Sequence, residues 1–195
     1  MNDAANSLNL APVQTVFLDR DGVINEKLPE DRFVMRWDEF HILPGVVGAI
    51  GLLNQAEVRV IVVSNQRGIA LGLYTEDDVR AIHAGFAGLL AGQGAHVDGF
   101  YFCPHDRGVC ACRKPLGGMF EQALNDFPEI TASGSVMIGD SKADMEFGKR
   151  LGMKTIFIDG DPERQAPGAE TARGMADMRA DSLLAAVGDL LASAR

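Results

Sequence analysis

The sequence predicts an α/β fold built on an open, mostly parallel sheet with helices on both faces. Three observations favour it: short runs rich in β-branched residues recur, amphipathic helical segments separate them, and each run ends in polar or glycine-containing residues. Buried parallel strands have this continuous apolar character, and strand–helix alternation is typical of α/β sheets. With 195 residues, 47% hydrophobic and 23% charged, the chain has the size and composition of one globular domain.

The predicted strands and helices alternate over most of the chain. Strands are expected at Val13–Leu18, Val58–Ser64, Gly99–Phe102, Val136–Ile138 and Thr155–Ile158. Helices are expected at Val46–Gln55, Asp77–Leu90, Met119–Asp126, Ala143–Leu151 and Ser182–Ala194. Thr75 and Asp78 have the spacing of a capping box before the second helix, and Gly152 ends the fourth. A Rossmann-like sheet of this kind places its functional site beyond the carboxyl ends of its strands.

Two segments fall outside this alternation. Residues 1–12 have no Lys or Arg ahead of their few apolar positions, so we expect a loose leader and not a signal peptide. Asp159–Arg179 is rich in Gly, Pro, Ala and charged residues and is expected to form an irregular surface excursion. We therefore predict a single domain over residues 13–195.

The charge balance limits the partners of the protein. The chain has 18 Lys and Arg against 27 Asp and Glu, a formal net charge of −9, which repels nucleic-acid phosphates and anionic membranes at long range. No run approaches the roughly 18 apolar residues of a membrane span. We expect a cytoplasmic protein that binds neither nucleic acid nor membrane.

Carboxylates follow two of the predicted strands. Asp19 and Asp21 come directly after the first strand, two positions apart, so in extended backbone they point the same way. A lone Asp at such a junction often only caps a turn. Asp140 follows another strand, and the ends of parallel strands are neighbours, so the three are expected to converge. Packed carboxylates repel one another unless a cation lies among them, and oxygen ligands with phosphate nearby favour Mg²⁺.

Polar residues also follow the second strand. Ser64 and Asn65 supply a hydroxyl and an amide, and the turn after them supplies backbone N–H groups that can hold phosphate oxygens. Alone, this element would be an ordinary turn. Arg67, in the same turn, is a candidate for binding a second phosphate.

The three cysteines of the chain lie within ten residues of one another, which is too local for a disulfide framework. Cys103, His105, Cys110 and Cys112 together make a complete tetrahedral Zn²⁺ set with no open position, so the predicted zinc site is structural. Residues 103–112 are thus a zinc-binding loop. Arg113 and Lys114 follow its last ligand, so we expect the loop to fix two cations beside the phosphate site.

Four segments, in order, resemble the motifs of the haloacid dehalogenase (HAD) superfamily. They are FLDRDGVIN, VVSNQRGI, CRKP and VMIGDSKAD, and they span residues 17 to 144. The resemblance implies a HAD-like phosphatase without a large cap domain. It further implies Asp19 as the nucleophile, Asp21 as the acid and base, Mg²⁺ on Asp19, the Asp21 carbonyl and Asp140, and phosphate on Ser64 and Lys114. Asp144 is left open between a helper for Lys114 and an ordinary helix-face residue.

The zinc loop followed by CRKP is similar to one branch of that superfamily, which acts on small metabolites. Its members include phosphatases of heptose 1,7-bisphosphate, cleaved at C7 in making lipopolysaccharide heptose, and of histidinol phosphate. We expect a sugar bisphosphate, its second phosphate on Arg67 or Arg113, and a monomeric enzyme. The alternative substrate is histidinol phosphate, whose amine would suit the acidic segment Glu26, Glu30 and Asp31. The alternative of another class is a non-catalytic, zinc-stabilised binding module.

Overall fold

The computed structural model describes residues 13–29, 32–165 and 167–193. In this part of the chain, six parallel strands form one sheet in the order β3-β2-β1-β4-β5-β6. The strands are β1 (Thr15–Leu18), β2 (Arg59–Asn65), β3 (Gly99–Cys103), β4 (Ser135–Gly139), β5 (Lys154–Ile158) and β6 (Met178–Ala180). The predicted open parallel sheet is confirmed. The predicted leader at 1–12 lies outside the described residues.

Helices cover both faces of the sheet. They are α1 (Val46–Gln55), α2 (Glu76–Gly92), α3 (Gly118–Asp126), α4 (Lys142–Leu151), α5 (Ala169–Met175) and α6 (Leu183–Ser193). Side chains alternate along a strand, so Val16 and Leu18 pack with α1, α2 and α6, whereas Phe17 packs with α3 and α4 on the other face. The capping box predicted at Thr75 and Asp78 is present. No helix in the described ranges combines the length and the apolar character needed to cross a membrane.

The segment Asp159–Arg179 is more regular than its composition predicts. It contains a short 3₁₀ turn, the helix α5 and the edge strand β6, which pairs in parallel with β5. Two small residues of α5, Ala169 and Ala172, are buried in a cluster with Phe157 of β5. The prediction of an irregular excursion was therefore wrong: the alanines pack closely on the sheet, and long-range pairing with β5 compensates for weak local propensity.

The sheet topology fixes where a site can form. The chain leaves β1 toward β2 and β3 on one side, then returns to β4, β5 and β6 on the other. The point between β1 and β4 is therefore the topological switch point, where open α/β sheets bind ligands. Leu18 lies opposite Ile138, and the Asp19 amide donates to the Ile138 carbonyl at 3.0 Å. This register brings the residue after β1 beside the residues after β4.

Gly148 sets the distance between α4 and the sheet. A Cβ atom there would lie 2.5 Å from Thr155 Cγ2 and 3.0 Å from Met137 Cβ, both of which are in the core. We expect Gly148→Ala to lower the free energy of unfolding by about 1–3 kcal/mol through overpacking, although alanine favours helices. The matched control is Gly51→Ala in α1, where the added methyl group meets nothing within 4 Å and should stabilise by about 0.5–1 kcal/mol. Urea unfolding of both variants measures the difference, and equal stability would contradict the close approach.

Candidate active site

Asp19, Asp140 and Asp144 meet at the carboxyl ends of β1 and β4. Each offers one carboxylate oxygen to a group that lies within 4.8 Å. The chain turns sharply at Gly22, with φ +100°, and a Cβ atom there would overlap Asp140 Oδ2. Glycine at this turn therefore allows the loop after β1 to pass directly over Asp140. Asp19 and Asp140 converge as expected, but the Asp21 carboxylate is not in this group, because Arg20, Asn25 and Gln66 bind it instead.

Lys114 lies at the base of this acidic group. Its Nζ is 2.8 Å from Asp19 Oδ1 and 2.6 Å from Asp144 Oδ1, and it also donates to the Val63 carbonyl at 2.7 Å. Burial acts to lower the pKa of Lys114, but Asp144 and Asp19 together raise it above its ordinary value. The ammonium is therefore charged and fixed beside Asp19.

Asp144 contacts Lys114, which is the first of the two alternatives that the sequence left open, and it is not an ordinary helix-face residue. In addition to its contact with Lys114, its Oδ2 accepts from the backbone N–H and the hydroxyl of Ser141, which caps the N-terminus of α4. Its side chain is fully buried. A helix-capping carboxylate thus also holds Lys114 in place, and α4 is anchored to the site.

The carboxylates fit a hard divalent cation. Burial and the neighbouring carboxylates raise the pKa of Asp19 to about 7 and of Asp140 to about 6, although Lys114 and Lys27 act to lower these values. The Asp140 Oδ1 atom is buried and has no hydrogen-bond partner among the described residues. Oxygen donors of this kind suit Mg²⁺. Asp19, Asp140 and the carbonyl of Asp21 are the groups expected to hold it.

Lys27 is a site residue that sequence reasoning missed. Its Nζ donates to Asp140 Oδ2 at 2.6 Å, and the side chain lines the cavity above the carboxylates. A single lysine in the loop after the first motif carries no pattern that would distinguish it from a solvent-exposed one. Its role depends on the loop folding back across β4.

Asp21 lies in a dense network of donors. Burial acts to raise the pKa of Asp21, yet the ion pair with Arg20 and hydrogen bonds from Asn25 and Gln66 hold it below its ordinary value. Arg20 Nε and an Nη atom donate to the two Asp21 oxygens at 3.2 and 3.0 Å, and Asn25 Nδ2 donates at 3.0 Å. Arg20 is almost completely buried. The sequence places this arginine between two motif carboxylates but gives no sign that it points inward.

The last two residues of β2, Ser64 and Asn65, have different roles. Ser64 is buried at the end of the strand and lines the cavity. Asn65 also lines the cavity, but its side-chain amide hydrogen-bonds to the backbone of Lys114. Asn65 Nδ2 donates to the Lys114 carbonyl at 3.1 Å, and Asn65 Oδ1 accepts from the Lys114 N–H at 3.0 Å. Asn65 therefore holds the loop that carries Lys114.

Arg67 contacts a carboxylate of the zinc loop. Its Nε donates to Asp106 Oδ1 at 2.6 Å, and the residue is not among those that line the main cavity. Binding of a second phosphate by Arg67 stays a prediction. Arg113 does line the cavity and donates to the His105 carbonyl at 3.4 Å.

The four predicted zinc ligands form one cluster. Their donor atoms lie within 4.8 Å of one another, with Cys103 Sγ 3.5 Å from Cys110 Sγ and His105 Nδ1 3.2 Å from Cys112 Sγ. Ligands about 2.0–2.3 Å from a tetrahedral centre are about 3.3–3.8 Å apart. Three sulfurs and one imidazole nitrogen at this spacing fit a closed, structural zinc site.

A cavity of about 1050 Å³ opens above the carboxylates. Its floor includes Asp19, Asp21, Ser64 and Lys114, and its walls carry further cationic side chains: Lys27, Arg107, Arg113, Lys142 and Arg164. Glu26, from the acidic segment, is 3.0 Å from Arg164, so its charge is matched; Glu30 and Asp31 lie outside the described residues. Glu146 and Glu163 also line the cavity, and Glu146 lies 3.3 Å from Lys142. Arg107 and Arg113 form no ion pair among the described residues, so these two arginines are the groups that favour an anionic ligand.

Comparison with known proteins agrees with this geometry. The HAD-hydrolase-like family model matches residues 111–186. The chain is 37% identical over 169 residues to the D-glycero-alpha-D-manno-heptose-1,7-bisphosphate 7-phosphatase of Mycobacterium tuberculosis, covering 86% of each chain. It is 38% identical over 153 residues to the corresponding beta-heptose enzyme of Rhodopseudomonas palustris, covering 74% of this chain and 83% of that one.

Comparison with solved structures also finds a heptose bisphosphate phosphatase. The heptose 1,7-bisphosphate phosphatase of B. bronchiseptica, complexed with magnesium and phosphate, matches with a TM-score of 0.79 and 31% identity, covering 92% of this chain and 98% of that one. Fold and site together define a HAD-like phosphatase, a phosphoric monoester hydrolase. Within that class, the chain belongs to the family of the heptose-1,7-bisphosphate 7-phosphatases.

The geometry of the zinc cluster predicts what its loss does. We expect about one zinc per chain by elemental analysis, and Cys110→Ser to lose it. Because Arg113 rests on the His105 carbonyl, zinc loss should also weaken binding of inorganic phosphate, measured as product inhibition, while circular dichroism retains the α/β signal. The control is Val109→Ser, in the same loop but 69% exposed and not a ligand, which should keep its zinc. Full zinc occupancy in Cys110→Ser would contradict the assigned ligand set.

Proposed function

We propose that this protein hydrolyses the C7 phosphate of D-glycero-D-manno-heptose 1,7-bisphosphate with Asp19 as nucleophile. The observation that carries the proposal is the contact of buried Lys114 with both Asp19 and Asp144 at the floor of a cation-lined cavity. The relatives of M. tuberculosis and R. palustris act at that position of the heptose. The two relatives differ in the anomer, which involves C1 and leaves the reaction at C7 unchanged.

The chemistry follows from charges on this chain. Asp19 Oδ attacks phosphorus while the bond from phosphorus to the C7 oxygen breaks, and Asp21 gives its proton to that oxygen. Water then attacks the phosphorus of the aspartyl phosphate, gives a proton to Asp21 and releases Asp19 and inorganic phosphate. Bound Mg²⁺ would mask the charge of the incoming phosphate and of Asp19. Lys114 supplies a second fixed positive charge on the same side.

Asp21 must change its protonation state between the two steps. In the substrate-free protein Arg20 and the neighbouring donors favour the ionised form, which is the form that accepts the proton of the attacking water. Arrival of a phosphate dianion raises the pKa of a nearby carboxyl group, since like charges disfavour ionisation. Substrate binding itself thereby favours the acid that the first step needs.

The cations around the cavity support a bisphosphate as substrate. Arg107 lies in the zinc loop and Arg113 directly after it, and both line the cavity without an ion pair among the described residues, so the leaving group can meet positive charge there. Histidinol phosphate has an ammonium group where the heptose has its second phosphate. The one described member of the acidic segment, Glu26, is already paired with Arg164. The sugar bisphosphate is therefore the better match in charge.

Asp19→Asn tests the nucleophile. Removing its charge while keeping its shape should lower Mg²⁺-dependent phosphate release by about a thousandfold or more, as for other nucleophile deletions. Steady-state phosphate release measures it, with circular dichroism to check the fold. Asp189→Asn, an exposed position on α6, is the matched control and should behave as the parent protein. A folded Asp19→Asn protein with substantial activity would exclude the aspartyl-phosphate route. A parent protein that releases no phosphate from any ester would favour the binding module.

Arg113→Gln tests the choice of substrate. We expect heptose 1,7-bisphosphate to give a higher kcat/KM than histidinol phosphate. The variant should lose about 10–100-fold in kcat/KM for the bisphosphate, because a charge-assisted contact is worth about 1.5–3 kcal/mol. Heptose 7-phosphate, which has no second phosphate, should lose much less. Arg80→Gln, exposed on α2, is the control. A higher kcat/KM for histidinol phosphate in the parent protein would reverse the assignment.

A further inference from the structure

Gln66 is a buried amide that lies between two residues of the proposed machinery. Its Nε2 donates to Asp21 Oδ2 at 3.1 Å and to Ser64 Oγ at 2.6 Å. Its Oε1 accepts from the Tyr74 hydroxyl at 2.8 Å and from Arg20 Nη2 at 3.3 Å. Gln66 is 2% exposed and Tyr74 is 6% exposed. The residue that carries the amide is thus shielded from solvent and has four partners.

The four partners determine which way the amide faces. An amide has two N–H donors and one oxygen with two lone pairs, and here all of them are used. Turning it over would set its oxygen against the Asp21 carboxylate and its NH₂ group against the Arg20 guanidinium. Both contacts would be repulsive, and buried groups without partners are costly. Tyr74 and Arg20 therefore fix the NH₂ group toward Asp21 and Ser64.

This orientation has a consequence for Ser64. A hydroxyl has a single hydrogen and two lone pairs. Because Ser64 Oγ accepts from Gln66, its own hydrogen remains to be donated, and Ser64 lines the cavity above Asp19. The amide thereby sets the hydroxyl as a donor toward a phosphate oxygen.

The same NH₂ group acts on Asp21. Gln66 and Arg20 Nε both donate to Asp21 Oδ2, while Asn25 donates to Oδ1. Three residues thus fix the plane of the carboxylate. Of these three residues, Gln66 also contacts Ser64. It therefore connects Asp21, the proposed acid, with Ser64, whose hydroxyl is proposed to bind the phosphate.

We infer that Gln66 is a positioning residue that orients Asp21 toward the leaving oxygen and, through the same NH₂ group, keeps Ser64 a donor to the phosphate. This inference rests on the roles proposed above for Asp21 and Ser64. Gln66 touches neither reacting atom, and it acts through those two side chains. A substitution that removes the Gln66 amide should therefore change both the departure of the leaving group and the binding of phosphate.

The test compares two esters in Gln66→Met, which keeps the length of the side chain and removes its donors. A sugar C7 oxygen is a poor leaving group that needs a proton, whereas 4-nitrophenolate leaves without one. We expect kcat/KM for heptose 1,7-bisphosphate to fall about 100-fold, within the range of general acid catalysis. For 4-nitrophenyl phosphate it should fall about tenfold or less, by the loss of one hydrogen bond to a charged group. The inhibition constant of inorganic phosphate should rise by a similar factor of about ten.

Two further variants make the outcome decisive. Gln66→Glu has the shape of glutamine but presents an oxygen where the NH₂ group was, so it should show the same difference between the esters and a larger loss. Gln93→Met, exposed after α2, is the matched control and should match the parent protein in all three measurements. Equal losses for the two esters in both Gln66 variants, or an unchanged inhibition constant, would overturn the inference.

A failure of the proposed function gives a different result. In that case the parent protein itself releases no phosphate from the heptose, or Asp21→Asn lowers kcat/KM equally for the two esters, a ratio that reports formation of the aspartyl phosphate and not its hydrolysis. If Asp21→Asn discriminates between the esters and the Gln66 variants do not, Asp21 is the acid and Gln66 does not position it.

Discussion

The buried ammonium of Lys114 is the charge on which the rest of the site depends. A lysine that is almost completely removed from water is costly unless it is paired, and here Asp19 and Asp144 both compensate it. The same contact fixes the carboxylate of Asp19, the nucleophile that we propose. The contacts of Lys114 join three parts of the chain. Asp19 follows β1, Asp144 belongs to the capping box of α4, and Lys114 lies in the loop after the zinc cluster.

The zinc cluster explains how a loop can hold a buried lysine at a defined point. Cys112 lies two residues before Lys114, and Asn65 clamps the Lys114 backbone from the other side through both its N–H and its carbonyl. The zinc ligand Cys112 and Asn65 of β2 therefore hold the short segment 112–114 at its two ends. A flexible loop would lose conformational entropy on burying a lysine, and a metal-anchored loop has much less to lose.

Charge is distributed unevenly over the molecule. The chain has a net charge of −9, yet the walls of its main cavity carry lysine and arginine side chains from four separate segments. Cations concentrated in a concave site attract a small anion, while the remaining acidic surface repels large polyanions such as nucleic acids. Carboxylates also line the cavity and pair with most of these cations, and Arg107 and Arg113 are the lining cations without an ion pair among the described residues.

The sequence by itself determined the parallel sheet, the strand ends that carry Asp19, Asp21 and Asp140, and the zinc cluster, because local periodicity and short spacings encode these features. Only the tertiary structure determined which side chains of the site contact one another. Asp144 contacts Lys114, Arg67 is taken up by Asp106, and Gln66 joins Asp21 to Ser64. Most of these contacts join residues about 30 to 45 positions apart, and they depend on strand register and loop paths that no local pattern specifies. No local signal in the sequence indicated α5 and β6, for the same reason: the alanines of α5 pack against Phe157 of β5, and the three-residue strand β6 depends on pairing with β5.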